Sequence, residues 1–393
     1  MIHDDFMGDL QEAERPGILV GGGAYKARDA IMAFAAQHSI PVFRTWNALD
    51  VVTDDDPCYG GTVGTYGGPG RNFGIQNTDL LLILGCRISG RITGGSPHTF
   101  ARAAKRYWVD PDYSLMHEHE VKPHRSHEGT AEDFIGRCSS GRYAEWHLDF
   151  SIWLRQCVEW VSAYDPVTPQ MVVDWHHYGF MRALSGQITR NAIITYDTGG
   201  NAIMMGHCFK SKRGQRIFSS NGNTPMGFSM CGAIGAWFAE PNRPVVCIIG
   251  DGGMQMNIQE LQTVVNYGIP LKVFVINNGV LGNTKAYQRV NGKLEICCGP
   301  DGYSAPVFPN VANAYGIESA TLGEWERFDA VVSKALSSER AIVVDVLDHD
   351  RCNYEPRVSR WDTPIEDMQS FLPRHEFREN LFIDPVEGWE KNK

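Results

Sequence analysis

One stretch, Val245 to Gly282, constrains this chain more than any other: VVCIIGDGGMQMNIQELQTVVNYGIPLKVFVINNGVLG. VVCII (245–249) is short, apolar and β-branched, the composition of a parallel strand buried on both faces. Gly250-Asp251-Gly252-Gly253 stands at its C-terminal end, where ligands sit in open α/β sheets. Glycines let the backbone approach an anion closely, and a following helix turns its free N–H groups toward it. Asn257 to Tyr267 has helical spacing, with Ile258, Leu261, Val264 and Val265 on one face. Leu271–Ile276 reads as a second buried strand emptying into Asn277-Asn278-Gly279. Adjacent parallel strands bring their C-terminal ends side by side, so Asp251 can meet Asn278 across the gap. A carboxylate, an amide oxygen and backbone carbonyls make a hard-oxygen site for Mg²⁺, with a phosphate completing the octahedron. A lone GDG is ordinary turn chemistry; the two-ended form with a βαβ unit between its halves is the informative one.

At 393 residues the chain exceeds one ordinary core and predicts two domains. A net charge of −10 with no basic face argues against nucleic acid as the main partner. No apolar run approaches the ~20 residues of a membrane span, and Met1–Leu10 is acidic rather than a signal peptide. The 10 cysteines include no CxxC pair. Cys86, Cys157, Cys231 and Cys247 lie in apolar surroundings and are expected as buried free thiols of a reducing cytoplasm. Cys297-Cys298 is the one adjacent pair, and a bland reading suits it.

In chain order, GILVGGGAY (17–25) is a strand running into a glycine turn, Lys26–His38 a helix and IPVFRTW (40–46) a strand. That βαβ unit puts Gly21, Gly22 and Gly23 where a diphosphate could bind, although a tight turn without a ligand explains them equally. TVGTYGGPG (62–70) is a glycine-rich loop before a helix that starts at Asn72. DLLLILG (79–85) is a strong strand, followed by CRISGRITGG, a helix over Thr99–Ala104 and the strand RYWVDPD (106–112). Residues 129–164 look like a helical connector, with Trp146, Trp153 and Trp160 seven apart on a face that packs against the neighbouring domain. Pro169–Ile188 reads as a helix N-capped by Thr168, AIITYD (192–197) as a strand ending in Thr198-Gly199-Gly200-Asn201, and RIFSS (216–220) as a short strand. GPDGYSAPVFPNVANAYGI (299–317) and AIVVDV (341–346) complete the second sheet.

GDG followed by 24 residues and then Asn277-Asn278 resembles the thiamin-diphosphate signature. NGNTPMGFSMCGAIGAW (221–237) is similar to a second segment of the same enzymes, and ILVGGGA, DLLLILGCRISGRITGG and YWVDPD resemble the central domain of acetohydroxyacid-synthase (acetolactate-synthase)-like members. The resemblance implies an α/β fold of two doubly wound domains with six-stranded parallel sheets. The expected boundaries are a lead-in over 1–16, a central domain over 17–128, a helical linker over 129–167, a diphosphate-binding domain over 168–350 and a tail over 351–393. It implies thiamin diphosphate and Mg²⁺ as cofactors, the metal held by Asp251, Asn278 and the Val280 carbonyl. Thr198, Gly199, Gly200, Asn201, Gly250, Gly252, Gly253 and Leu281 would line the cofactor. Met226 would wedge under its rings, unless it is plain core methionine. The Thr224 carbonyl would hold the 4′-amino group and the Met226 N–H a ring nitrogen; here Thr224-Pro225 replaces the usual Gly-Ala. Central domains of this family often carry FAD in a structural role, with Gly21, Gly22, Gly23 and Arg87 as its candidate contacts.

After Asn278 the chain departs from acetohydroxyacid synthases. Tyr287 stands where a pocket tryptophan would, and Lys285 adds a cation near the pocket mouth or a solvated helix charge. The acceptor is therefore expected to be larger or more polar than pyruvate or 2-ketobutyrate. The tail TPIEDMQSFLPRHEFRENLFI (363–383) resembles the C-terminus of synthase-like proteins and is expected to wrap over the active site or a neighbouring subunit. The family's pyrimidine-binding domain, which supplies the glutamate that protonates the cofactor ring, has no counterpart here. Glu12 and Glu14 read as the remnant of an interdomain linker. The expectation is a split cytoplasmic enzyme completed by a separate pyrimidine-domain subunit, as a dimer of heterodimers. It would decarboxylate a 2-oxo acid, pyruvate first, and ligate the acyl unit to a second carbonyl. A plain decarboxylase, an inactive fragment, a scaffold subunit and a flavin binder built on Gly21–Gly23 stay open as alternatives.

Overall fold

A computed structural model describes residues 1–292, 294–348 and 352–389. The chain divides into two compact units, Met1–Pro166 with Glu355–Lys393, and Val167–Tyr354. The boundary expected at 350/351 lies outside the described residues.

The first unit holds β1 (Pro16–Val20), β2 (Val42–Arg44), β3 (Tyr59–Thr62), β4 (Leu80–Leu84), β5 (Lys105–Asp110) and β6 (Arg125–Glu128) in the order β3-β2-β1-β4-β5-β6. All five pairings are parallel. The apolar run of β4 is buried on both faces: Leu80, Leu82 and Leu84 join the helices on one side, Leu81 and Ile83 those on the other. The expected lead-in is a working part of this core. Its helix, Ile2–Glu12, buries Phe6, Met7 and Leu10 along one stripe, while Glu12 stays exposed.

The segment read as a linker also belongs here. The helix Ser151–Ala163 buries Trp153, Cys157 and Trp160 against this unit's own sheet rather than against another domain. Trp146 precedes that helix and packs into the cluster on the opposite side, so the seven-residue spacing does not describe one face. The glycine-rich loop explains the close fit. A Cβ at Gly68 would stand 1.6 Å from the Tyr164 carbonyl oxygen and one at Gly70 2.1 Å from that of Trp160.

The tail covers the same layer, with Val358, Ile365, Met368, Leu372 and Phe377 buried in it. The helix expected over 99–104 is absent. Ala101 has a φ of +42° and gives its N–H to the Gln76 side chain at 2.6 Å, which stops a helix after the single turn Pro97–Thr99.

The second unit holds β7 (Ile193–Tyr196), β8 (Arg216–Phe218), β9 (Val245–Gly250), β10 (Lys272–Asn277), β11 (Glu318–Leu322) and β12 (Ile342–Leu347), ordered β11-β12-β10-β9-β7-β8 and again all parallel. The chain steps outward from β7 to β8 and then returns to the other side of β7 for β9. The C-terminal ends of β7 and β9 therefore flank the topological switch point, where such sheets bind ligands. The helix expected over 169–188 is two, Pro169–Val173 and His177–Gln187, parted at Asp174, whose ψ is 143°. After β9 the chain makes a short helix, Asp251–Met256, then Glu260–Asn266, which buries Leu261 and Val264 but leaves Val265 outside. Cys231 is exposed, unlike the buried Cys86, Cys157 and Cys247.

Candidate functional site

The loops after β7, β9 and β10 enclose a cavity of about 190 Å³. Its wall contains Thr198, Gly199, Gly200, Asn201, Gly250, Asp251, Gly252, Gly253, Asn278, Val280 and Leu281, singled out from sequence along these three loops, and Met226 from the loop after β8. Asp251 joins the two halves of the motif directly. Its Oδ2 accepts the Gly279 N–H at 3.1 Å across the gap between β9 and β10, while Asn278 Oδ1 accepts from the Val280 N–H at 3.2 Å. The parallel register Ile276↔Gly250 brings these turns level, as the alternation of strand and turn required. Burial pushes the Asp251 carboxyl up to about 6, against the N–H of Gly252, the Tyr303 hydroxyl and the Gly279 N–H, which favour its charged form. Tyr303 is pushed up in turn by burial and by facing Asp251.

Ile276, Gly282, Asn283 and Thr284 line it too, and three further wall residues were not singled out from sequence as site residues. Asp197 ends β7 and accepts the N–H of Thr198 at 2.8 Å and of Gly227 at 2.7 Å, tying the first loop to the residue after Met226. Burial raises its carboxyl, opposed by those two N–H groups. Met204 and Tyr354 also line the cavity. The glycines of the second loop are small because neighbouring side chains occupy the space a Cβ would need. At Gly253 that atom would lie 2.2 Å from Asp197 Oδ2, and at Gly252 it would lie 2.8 Å from Met226 Cε. A lone Asp at a strand end and a lone Tyr in an aperiodic segment carry no spacing signal, which is why sequence reasoning passed over them.

The structure does not bring Thr224, Lys285 or Tyr287 to this wall. Thr224 is exposed in a loop at φ +47°. Tyr287 is 68% exposed on the helix Gly282–Val290, and Lys285 on the same helix faces Glu295 at 3.8 Å. Lys285 is thus held in an ion pair instead of standing as an open cation.

The wall carries two carboxylates and no Lys, Arg or His among the described residues. An anion can enter such a site only with a cation, supported by neutral donors and helix N-termini. No group of three or more His, Cys, Asp and Glu that could hold a metal occurs among the described residues. One carboxylate with amide and carbonyl oxygens is the donor set that suits Mg²⁺, which keeps substrate phosphate in its shell.

The glycine turn of the first unit is built differently. Gly21 gives its N–H to the Leu84 carbonyl and Gly23 to that of Gly85, both at 3.0 Å. A Cβ at Gly21 would stand 2.2 Å from the Gly85 oxygen. Both N–H groups close the turn onto the end of β4, and Arg87 points to an exposed position. These residues do not fit as a diphosphate cradle for a flavin.

Comparison with known proteins agrees with the second unit's geometry. Residues 197–346 match the model described as thiamine pyrophosphate enzyme, C-terminal TPP binding domain, and residues 4–135 match thiamine pyrophosphate enzyme, central domain. The chain is 30% identical over 358 residues to the probable acetolactate synthase large subunit of Methanococcus aeolicus, covering 86% of this chain and 58% of that protein. It is 28% identical over 319 residues to the acetolactate synthase isozyme 1 large subunit of Escherichia coli K12, covering 80% and 55%. The chain thus spans little more than half the length of these curated relatives. With both domains matched in order, it belongs to the thiamine pyrophosphate enzymes, of which it carries the central and the C-terminal TPP-binding domains.

Proposed function

We propose that the second unit binds thiamin diphosphate through Mg²⁺ in this cavity, as part of an acetolactate-synthase-like carboligase. The observation that carries the reading is the Asp251–Gly279 hydrogen bond of 3.1 Å inside a wall without a cationic side chain. Asp251, Asn278 and the Val280 carbonyl would hold the metal. The loop Thr198–Asn201 and the helix start after Gly250 would take the diphosphate with backbone N–H groups. Met226 and Leu281 supply the apolar support for the rings, and their contact with Gly252 fixes where that support stands.

When bound, the cofactor supplies the nucleophilic carbon that attacks a 2-oxo acid and the electron sink for loss of CO₂. The chain's own residues orient it, hold the metal charge against the phosphates and keep the apolar wall dry. The reading takes pyruvate as donor and a second carbonyl compound as acceptor. Thr224, Lys285 and Tyr287 lie off the cavity wall, so their roles rest on the cofactor's ring end extending beyond it. A cavity of about 190 Å³ is smaller than the roughly 300–1,000 Å³ of whole small-molecule sites. It suits the diphosphate end, and Met226, 37% exposed, stands at its rim. A separate chain carrying a pyrimidine-binding domain and its glutamate would cover the rest.

The test is Asp251→Asn, which keeps an acceptor for the Gly279 N–H and removes the charge. Calorimetry with Mg²⁺ should find thiamin diphosphate bound at least about tenfold more weakly, ~1.4 kcal/mol. Unchanged affinity would remove Asp251 from the metal and the reading with it.

A further inference from the structure

The oxygens proposed for the metal come from two turns, Asp251 after β9 and Asn278 to Val280 after β10. A third segment, residues 297–304, is fastened to both. On one side the Cys298 carbonyl accepts the Leu281 N–H at 2.8 Å, next to Val280. On the other, the Tyr303 hydroxyl hydrogen-bonds the Asp251 carboxylate and lies 3.5 Å from where a Cβ of Gly252 would be. Between these ends the segment is tied to itself. The Asp301 carboxylate accepts the N–H of Cys297 at 2.7 Å and of Gly299 at 3.3 Å. The Gly299 carbonyl accepts the N–H of Gly302 at 2.9 Å and of Tyr303 at 2.6 Å.

Gln255 fixes the sense of the phenol's hydrogen bonds. It stands one turn after Asp251, on the same side of the short helix Asp251–Met256. Its Nε2 lies 3.0 Å from Tyr303 Oη and 3.3 Å from the Ser304 carbonyl oxygen. A carbonyl only accepts, so Gln255 turns its NH₂ to this side and donates to the phenol oxygen as well. The phenol proton is then left for Asp251. That carboxylate also meets its own N–H and those of Gly252 and Gly279. Donors on several sides leave it able to meet an ion through one oxygen, not to clasp it with both.

We propose that Tyr303 is a positioning residue for the metal: its hydroxyl, backed by Gln255, holds the Asp251 carboxylate to a single bond with the ion and so favours Mg²⁺ over Ca²⁺. The assignment rests on Asp251 holding the metal. Tyr303 and Gln255 stand outside the cavity wall and act through that carboxylate. Partners behind a metal ligand set its orientation, and their loss typically weakens metal binding about 10–100-fold. Without the phenol the carboxylate is free to rotate. Mg²⁺ then loses its octahedral geometry, whereas Ca²⁺, with longer bonds and a tolerance for both oxygens of one carboxylate, recovers part of the loss.

The experiment compares the wild-type chain with Tyr303→Phe, which keeps the ring and removes only the hydroxyl. Calorimetry measures affinity for thiamin diphosphate and, separately, for inorganic pyrophosphate, once in Mg²⁺ and once in Ca²⁺. The expected result is about tenfold weaker binding of both ligands in Mg²⁺ and a loss in Ca²⁺ at least about threefold smaller. The thermal midpoint of the ligand-free chain should not move. Equal losses in the two metals, or unaltered affinity in Mg²⁺, would overturn the assignment. A lowered midpoint passes the decision to Gln255→Met, which keeps Tyr303 and should shift the ratio of the two metals in the same direction; an unshifted ratio there overturns it too. Wild-type protein that binds magnesium pyrophosphate but not thiamin diphosphate would sink the cofactor reading instead, and the pyrophosphate arm would still decide the role of Tyr303. Binding of neither ligand to the wild type overturns both.

Discussion

Gly253 and Thr224 are the two positions where backbone freedom decides most. At Gly253 a methyl group would meet Asp197 Oδ2 at 2.2 Å, and that oxygen already holds the Gly227 N–H at 2.7 Å. Gly253→Ala should therefore cost about 1–3 kcal/mol through forced displacement, read as a lowered urea midpoint with an unchanged slope. A change within the error of the measurement would mean that Asp197 has room to move. Thr224 holds a φ of +47°, which costs a β-branched residue roughly 1–2 kcal/mol. Glycine removes that strain but gives back roughly 0.5–1 kcal/mol of chain entropy. Thr224→Gly should raise stability slightly, and a loss would show that the Thr side chain has contacts that matter. The residues proposed to hold the metal could be singled out because Asp251 and Asn278 each follow a strand that is unmistakable in the sequence. Asp197 and Tyr354 of the same wall were not, because only the convergence of separate loops brings them there.

Among the elements, those with a continuous apolar run were readable: LLLIL in β4, VVCIIG in β9 and KVFVIN in β10 are buried throughout or nearly so. Of the four edge strands only β8, RIF, was read as a strand. β3 is YGGT, β6 RSHE and β11 ESATL, and an edge strand carries polar residues and glycine that leave no periodic signal. The tail's anchorage was equally invisible, since it depends on a buried charge pairing across the sequence. Glu366 accepts from Gln76 at 2.5 Å and pairs with Arg102 at 2.7 Å inside the first unit. Arg102→Met should leave that carboxylate buried without its cation, at about 3–5 kcal/mol, and proteolysis should then remove residues after Glu355 much faster than in the wild type. Equal cleavage rates would show that the apolar contacts alone hold the tail.

A second element-scale prediction concerns pH. His38 ends the helix Arg28–His38, and its Nδ1 accepts the Leu148 N–H at 3.1 Å, so the neutral ring ties Leu148 to that helix. Burial, with help from nearby His147, pushes it from 6.5 down to about 4. The unfolded chain takes up the proton near pH 6.5 while the folded chain resists until about 4. This contribution is complete above pH 6.5, is lost as the pH falls through that window and is flat below it, up to about 3 kcal/mol. His38→Gln keeps an acceptor and cannot titrate, so urea unfolding of that variant should lose this part of the slope between pH 6.5 and 4. The same slope in both proteins would assign the effect elsewhere.

At the scale of the whole molecule, no helix among the described residues is long and apolar enough to cross a membrane, and the net charge of −10 sits poorly with a nucleic-acid partner. The alternation of strand and helix patterns pointed to α/β units and the family resemblance to six strands in each sheet, whereas the boundaries between the units did not follow from either. Residues 1–12, 151–163 and 356–377 look like connectors because each is amphipathic or irregular, and each nevertheless fills the first unit's core. If a partner supplies the glutamate, pyruvate consumption should appear only when this chain is mixed with a pyrimidine-domain protein. Turnover by this chain alone would mean that the proton relay lies within it.

The most direct test of the central claim is a calorimetric titration of this chain with thiamin diphosphate, run in Mg²⁺ and repeated in excess chelator. A wall with two carboxylates and no cationic side chain predicts one saturable site per chain in Mg²⁺ and none in chelator. Equal binding in both conditions would contradict the account, because it would require a positive charge that this cavity does not have.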